Sequence, residues 1–144
     1  MKKMSDGDVE RLTNEMINFF NRFSSWETSV IRSSDLTLSE THAIEILGAH
    51  GEMKMKMLAE KLGVTTGTIT VTVDRLEKKG YAKRGTTKED RRAYIIELTP
   101  AGKKAFEDHH KHHQHLTEEL MSLLSEDEIV TFTRILQKLN EQLF

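Results

Sequence analysis

The stretch Asp108-His109-His110-Lys111-His112-His113-Gln114-His115 gathers five of the chain's seven histidines. Imidazole ligates transition metals and changes charge near neutral pH. On a helix His109 and His113 stand at i and i+4 on one face, a spacing at which two imidazoles share one ion. Asp108 and His112 form a second such pair. His42 opens an earlier helical pattern, with Glu40 close by. With His109, His113 and a carboxylate such as Glu27 it makes a nitrogen and oxygen donor set suited to tetrahedral zinc, so zinc is the candidate cofactor. A solvated polar helix face is the plainer reading of the same residues.

A second group points to different chemistry. Thr65, Thr66, Thr68, Thr70 and Thr72 crowd one stretch that also holds Gly67 and Val71. Most of these residues are β-branched and poor in a helix standing alone. They suit a helix that enters the DNA major groove, where bulk would hold the backbone off the bases. Threonine hydroxyls bond phosphates or base edges, and threonine methyls touch thymine methyls. A polar segment carrying Lys88, Arg91 and Arg92 follows. From Lys54 to Arg92 there are eleven Lys and Arg against five Asp and Glu, whereas the whole chain has a net charge of −2. A basic middle in an otherwise acidic protein implies a polyanionic partner.

The elements that would position these groups follow from periodicity. Val9, Leu12, Met16, Phe19, Phe20, Phe23, Trp26 and Val30 mark an amphipathic helix over 8–33. Ser39 is a candidate N-cap for a helix through Ala43, Ile46 and Leu47. A short helix from about Met55 stops at Gly63. Ile69, Val73 and Leu76 form the buried stripe of the next helix, capped by Thr65 or Thr66 and closed by Gly80. That stripe turns Val71 outward with the threonines beside it, and sends Arg75 further along, towards phosphate. After Gly80 the period becomes two. Tyr81–Arg84 and Ala93–Leu98 read as strands of a β-hairpin with a charged tip. Thr99-Pro100 starts a long helix reaching Leu124, and Ser125 with Glu128 forms a capping box for a last one.

This order predicts a mainly α (α+β) winged helix-turn-helix with N- and C-terminal dimerisation helices and a two-stranded β wing. The expected organisation is a single domain over 1–144. Residues 38–99 form the DNA-binding lobe, and 8–33 and 100–144 form the dimerisation helices. The candidate DNA contacts are Thr66, Thr68, Thr70, Val71 and Arg75 in the major groove and Lys88, Arg91 and Arg92 on the wing. Asp90 is expected to pair with one wing arginine while the other extends. Aromatic and aliphatic residues of the terminal helices exceed what so small a lobe can cover, which argues for a homodimer.

Other classes fit poorly. The chain has no Cys, which excludes thiolate metal sites, disulfides and cysteine nucleophiles. It shows no phosphate loop, nucleophile elbow or His-Glu-x-x-His, and its adjacent carboxylates read as caps and solvated faces, so no enzyme is expected. With no long apolar run and a polar opening from Met1 to Glu15, the expectation is a cytoplasmic protein with no membrane contact. A winged helix that binds protein rather than DNA is the alternative.

Leu58-Ala59-Glu60-Lys61-Leu62-Gly63, Gly67-Thr68-Ile69-Thr70, Val73-Asp74-Arg75-Leu76-Glu77-Lys78-Lys79-Gly80-Tyr81, Asp90-Arg91-Arg92 and Leu98-Thr99-Pro100-Ala101-Gly102, in this order and spacing, resemble the MarR-type transcriptional regulators. The resemblance covers about Leu38 to Gly102. It implies a homodimer, in general a repressor, that binds a palindromic operator on double-stranded DNA, with Arg92 as the minor-groove residue of the wing. Many members carry Arg where this chain has Val71. The histidines are similar to those of the family's zinc-responsive branch. They are also similar to those of its fatty-acid-synthesis repressors, which share a His-x-Ile-Glu run, here His42-Ala43-Ile44-Glu45. The implied effector is therefore a metal, a small molecule or an acyl-carrier protein. His42 begins the helix leading into the DNA-binding segment and His109 and His113 lie on the helix leading out, so a ligand joining them would set the spacing of the two recognition helices.

Overall fold

The computed structural model describes residues 3–86, 89 and 92–143. Of the expected contacts, Lys88 and Arg91 lie outside the described residues, as does Asp90. The chain divides into two compact units, Met1–Lys103 and Lys104–Phe144.

The first unit begins with α1 (Asp6–Ile31), whose N-cap Ser5 accepts from the Asp8 amide at 3.1 Å. Its aromatic face is continuous: Phe23 lies 6.4 Å from Phe19 and 5.6 Å from Trp26, centroid to centroid. Val9, Leu12, Met16, Phe19 and Phe20 are exposed, so the apolar stripe that periodicity marks is left largely open to solvent.

α2 (Leu38–His50) is capped by Thr37, not Ser39. Thr37 Oγ1 accepts from the Glu40 amide and Glu40 Oε2 accepts from the Thr37 amide, each at 3.2 Å. Thr37 prevails because Glu40 stands three residues on, where a carboxylate can reach back to the cap amide; Ser39 has no such partner. A short strand, β1 (Met53–Lys54), leads into α3 (Met55–Leu62). Gly63 ends α3 in the left-handed region (φ 66°), which a glycine takes without steric penalty. Its amide donates to Glu60 O and the next, Val64, to Ala59 O. α4 (Thr66–Lys78) starts after only three linking residues, with Thr65 as its N-cap.

The hairpin is β2 (Ala82–Thr86) and β3 (Tyr94–Leu98), paired antiparallel from Ala82–Leu98 to Thr86–Tyr94. The expected two-stranded wing gains a third strand: β1 pairs with β3 through Met53–Ile96 and Lys54–Ile95, in the order β1-β3-β2. A two-residue strand is too short to show alternation, and it exists because β3 offers it an edge. Ala43, Ile44 and Leu47 of α2, Leu58 and Ala59 of α3, Ile69, Val73 and Leu76 of α4 and Ala82, Ile96 and Leu98 of the sheet are all buried. This core fixes α4 against α2, α3 and the wing.

α5 (Pro100–Met121) opens in the first unit. Gly102 in its first turn leaves no room for a side chain: a Cβ there would lie 2.0 Å from Tyr81 O. The second unit holds the rest of α5 and α6 (Glu126–Leu143). α5 stops at Met121 rather than Leu124, because the Ser125–Glu128 capping box restarts the helix there: the Glu128 amide donates to Ser125 Oγ at 3.2 Å and the Ser125 amide to Glu128 Oε1 at 3.0 Å. No residue of α6 is buried, and Val130, Phe132, Ile135, Leu136, Leu139 and Leu143 are exposed.

Candidate nucleic-acid interface

α4 buries Ile69, Thr72, Val73 and Leu76 and turns the rest outward. Thr66, Thr68, Val71 and Arg75 are exposed, and Thr70 is half-buried. Thr68, Val71, Arg75 and Lys78, spaced by three or four residues, form one stripe along the open side of the helix. The hydroxyls are partly committed to the helix itself. Thr70 Oγ1 donates to Thr66 O at 2.7 Å and Thr72 Oγ1 to Thr68 O at 3.2 Å. Thr65 Oγ1 accepts from the Thr68 amide at 3.2 Å and donates to Thr68 Oγ1 at 3.0 Å. Arg92, at the foot of β3, is exposed.

Two polar clusters hold this surface in place, and the sequence reading missed both. Arg84 on β2 pairs with Asp74 and Glu77 of α4, and its guanidinium carbon lies 5.5 Å from the centroid of the Tyr94 ring. The wing is thus tied to the recognition helix by ion pairs and a cation–π contact. There was a signal for this: two carboxylates on a helix that faces phosphates repel DNA unless a cation answers them.

The second cluster joins the C-terminal end of α4 to α2. Lys79 Nζ reaches Glu40 Oε2 at 2.7 Å and also donates to Asp35 O. Tyr81 donates its hydroxyl to Asp35 Oδ1 at 2.7 Å. That hydrogen bond, then desolvation and the charges of Asp35 and Glu40, hold the Tyr81 phenol above its ordinary range. Glu40 is 1% exposed, and its Oε1 has no hydrogen-bond partner.

Two pairs involve the expected metal histidines, each within its own unit. In the first, His42 Nε2 meets Glu27 Oε1 at 2.6 Å, linking α2 to the buried carboxylate of α1. In the second, His109 and His113 bring their Nε2 atoms to 3.0 Å, with the rings edge to face. The expected Asp108–His112 pair gives way to others: Asp108 is engaged by Lys104 at 3.0 Å, and His110 stacks on Phe106. Among the described residues no helix is long and apolar enough to cross a membrane.

A three-residue link between α3 and α4, a threonine-lined helix open on one side and a hairpin clamped to it define a winged helix-turn-helix of the kind carried by DNA-binding transcriptional regulators. The MarR family pattern matches residues 36–94, so this stretch of the chain is similar to the MarR family. It is similar to the FabT protein of Streptococcus pneumoniae, solved in complex with DNA: identity is 28% and the TM-score 0.83, over 92% of this chain and 95% of that one. A MarR family protein from Bacillus stearothermophilus shares the fold at a TM-score of 0.88, with 22% identity over 97% of this chain and 98% of that one. YfiV, an HTH-type transcriptional regulator of Bacillus subtilis, is 38% identical over 50% of this chain and 45% of its own length, so this chain spans less than half of that relative.

Proposed function

We propose that this protein is a homodimeric transcriptional repressor that binds a palindromic operator, one α4 in each of two successive major grooves and Arg92 directed at the minor groove. The observation that carries this is the outward stripe of α4, presented by a helix whose C-terminal half is pinned through Arg84 and Lys79. The open apolar faces of α1 and α6 supply the material for a two-fold interface. The protein acts by binding rather than catalysis, in the cytoplasm where its operator lies. A salt titration of duplex binding tests the reading: the affinity should fall steeply as salt rises, with a slope of about −0.9 per phosphate neutralised. A flat titration would support a module that binds protein instead.

A second observation supports a metal effector. Two zinc–nitrogen bonds of about 2.0–2.1 Å at a tetrahedral angle separate the nitrogens by about 3.3 Å. The His109–His113 pair stands near that span at 3.0 Å. Zinc there would act as a structural and regulatory ligand, with a small molecule or an acyl-carrier protein as the other effector classes. Metal content of tag-free protein, and DNA binding with and without chelator, decide between them: a response to chelator that His113→Ala abolishes supports zinc, and its absence supports a non-metal effector.

A further inference from the structure

The outward stripe of α4 has a chemical character more specific than DNA binding. Reading from the N-terminus, the end that meets base edges in a helix-turn-helix, it presents Gly67, Thr68 and Val71 before its first cation, Arg75. Val71 is 49% exposed. A lone exposed valine means little by itself; what surrounds this one gives it meaning.

The hydroxyl bonds limit what the neighbours can read. Thr70 has given its proton to Thr66 O and can only accept. Thr68 receives the Thr65 proton and keeps its own to donate. Neither offers the paired donors that recognise guanine N7 and O6 together. What these two leave outward is one hydroxyl donor, one acceptor, and their methyl groups.

Gly67 adds an independent sign. Its φ is not positive, and a Cβ there would meet only Thr65 Oγ1 at 3.9 Å, an ordinary contact. Nothing inside the protein requires glycine, and a helix disfavours it more than any residue but proline. The need for a bare backbone therefore comes from outside, from a surface that approaches α4 one turn before Val71.

We propose that the Gly67–Thr68–Val71 face of α4 reads thymine: the Val71 methyls pack on thymine C5-methyl groups in the major groove, Gly67 provides the clearance that lets them meet, and the half-site core is made of A·T pairs. This rests on the operator-binding reading above and names the base class it selects. Thr68, with its free hydroxyl proton, can donate to the thymine O4 of such a pair, and Thr70 can accept from an adenine N6 amine.

The test uses the full chain. A site is selected from a pool of random duplexes, and each thymine of the enriched sequence is replaced singly by deoxyuridine, which removes only the methyl. At one or two positions per half-site the wild-type affinity should fall about fourfold, the equivalent of about 0.8 kcal/mol for one buried methyl-sized group. With Val71→Ala the same replacements should cost nothing further. Gly67→Ala should melt at a higher temperature than wild type yet bind the selected site at least tenfold more weakly. The inference is overturned if no deoxyuridine position matters, if Val71→Ala keeps the same losses, if Gly67→Ala binds normally, or if the strongest positions are G·C pairs whose preference Arg75→Ala erases. A pool that yields no enriched sequence at all overturns the operator-binding reading instead, a result distinguishable from the others.

Discussion

Replacing Lys79 with methionine should destabilise the protein by about 2–3 kcal/mol. The carboxylate of Glu40 is 1% exposed and has only two visible supports, the Thr37 amide at 3.2 Å and Lys79 Nζ at 2.7 Å, with Oε1 left unpaired. Removing one partner of a buried pair costs about 3–5 kcal/mol, because the remaining charge keeps its desolvation penalty. The Lys79 side chain is 30% exposed, so water can reach the space it leaves, and the lower end of that range or slightly less applies. Glu40→Gln should cost only about 1 kcal/mol. Glutamine still accepts from the cap amide, and the lysine it strands is already part-solvated. The double variant should therefore lose less than the sum of the singles. Urea unfolding at one fixed protein concentration reads all three values. A Lys79→Met variant within about 0.5 kcal/mol of wild type, or one less damaged than Glu40→Gln, would refute the account of Glu40 as a buried charge held by Lys79.

Three further outcomes are expected. Gly102→Ala should be among the most damaging single-atom additions in the chain, since its Cβ would lie 2.0 Å from Tyr81 O and backbone must move to admit it; a loss of at least about 3 kcal/mol, or of soluble expression, is the readout. Arg92→Ala should weaken operator binding by about 1–3 kcal/mol with an unchanged circular dichroism spectrum, and normal affinity would remove it from the interface. Because Tyr81 has its folded-state pKa raised from 10.0 by its bond to Asp35, its stabilising contribution is whole below pH 10 and is lost as pH climbs through the raised value; Tyr81→Phe should flatten that alkaline limb, measured by unfolding across pH 9–12.

The helices of this chain were legible because their causes are local. Ile69, Val73 and Leu76 lie one turn apart and bury themselves whatever else the chain does, and that burial alone turns Val71 and Thr68 outward. Gly63 and the Ser125–Glu128 box punctuate elements through bonds that reach only three to five residues. The change of period after Gly80 announced the hairpin. The threonines announced a surface made to be approached closely, and the family resemblance named that surface.

Tertiary structure decided the rest. β1 is a strand only because Ile95 and Ile96, some forty residues on, present an edge to Met53 and Lys54. Arg84 looks like one more cation of a basic wing until β2 folds over α4 and Asp74 and Glu77 take it away from the phosphates. Glu40 is a helix cap in the sequence and a buried ion-pair partner in the fold, because Lys79 arrives from the C-terminal end of the recognition helix. Periodicity reports which face of an element is apolar, a property of neighbours along the chain. Charge pairing and burial depend on distances between elements, which exist only once the core of Ile44, Leu58, Leu76 and Ile96 has closed.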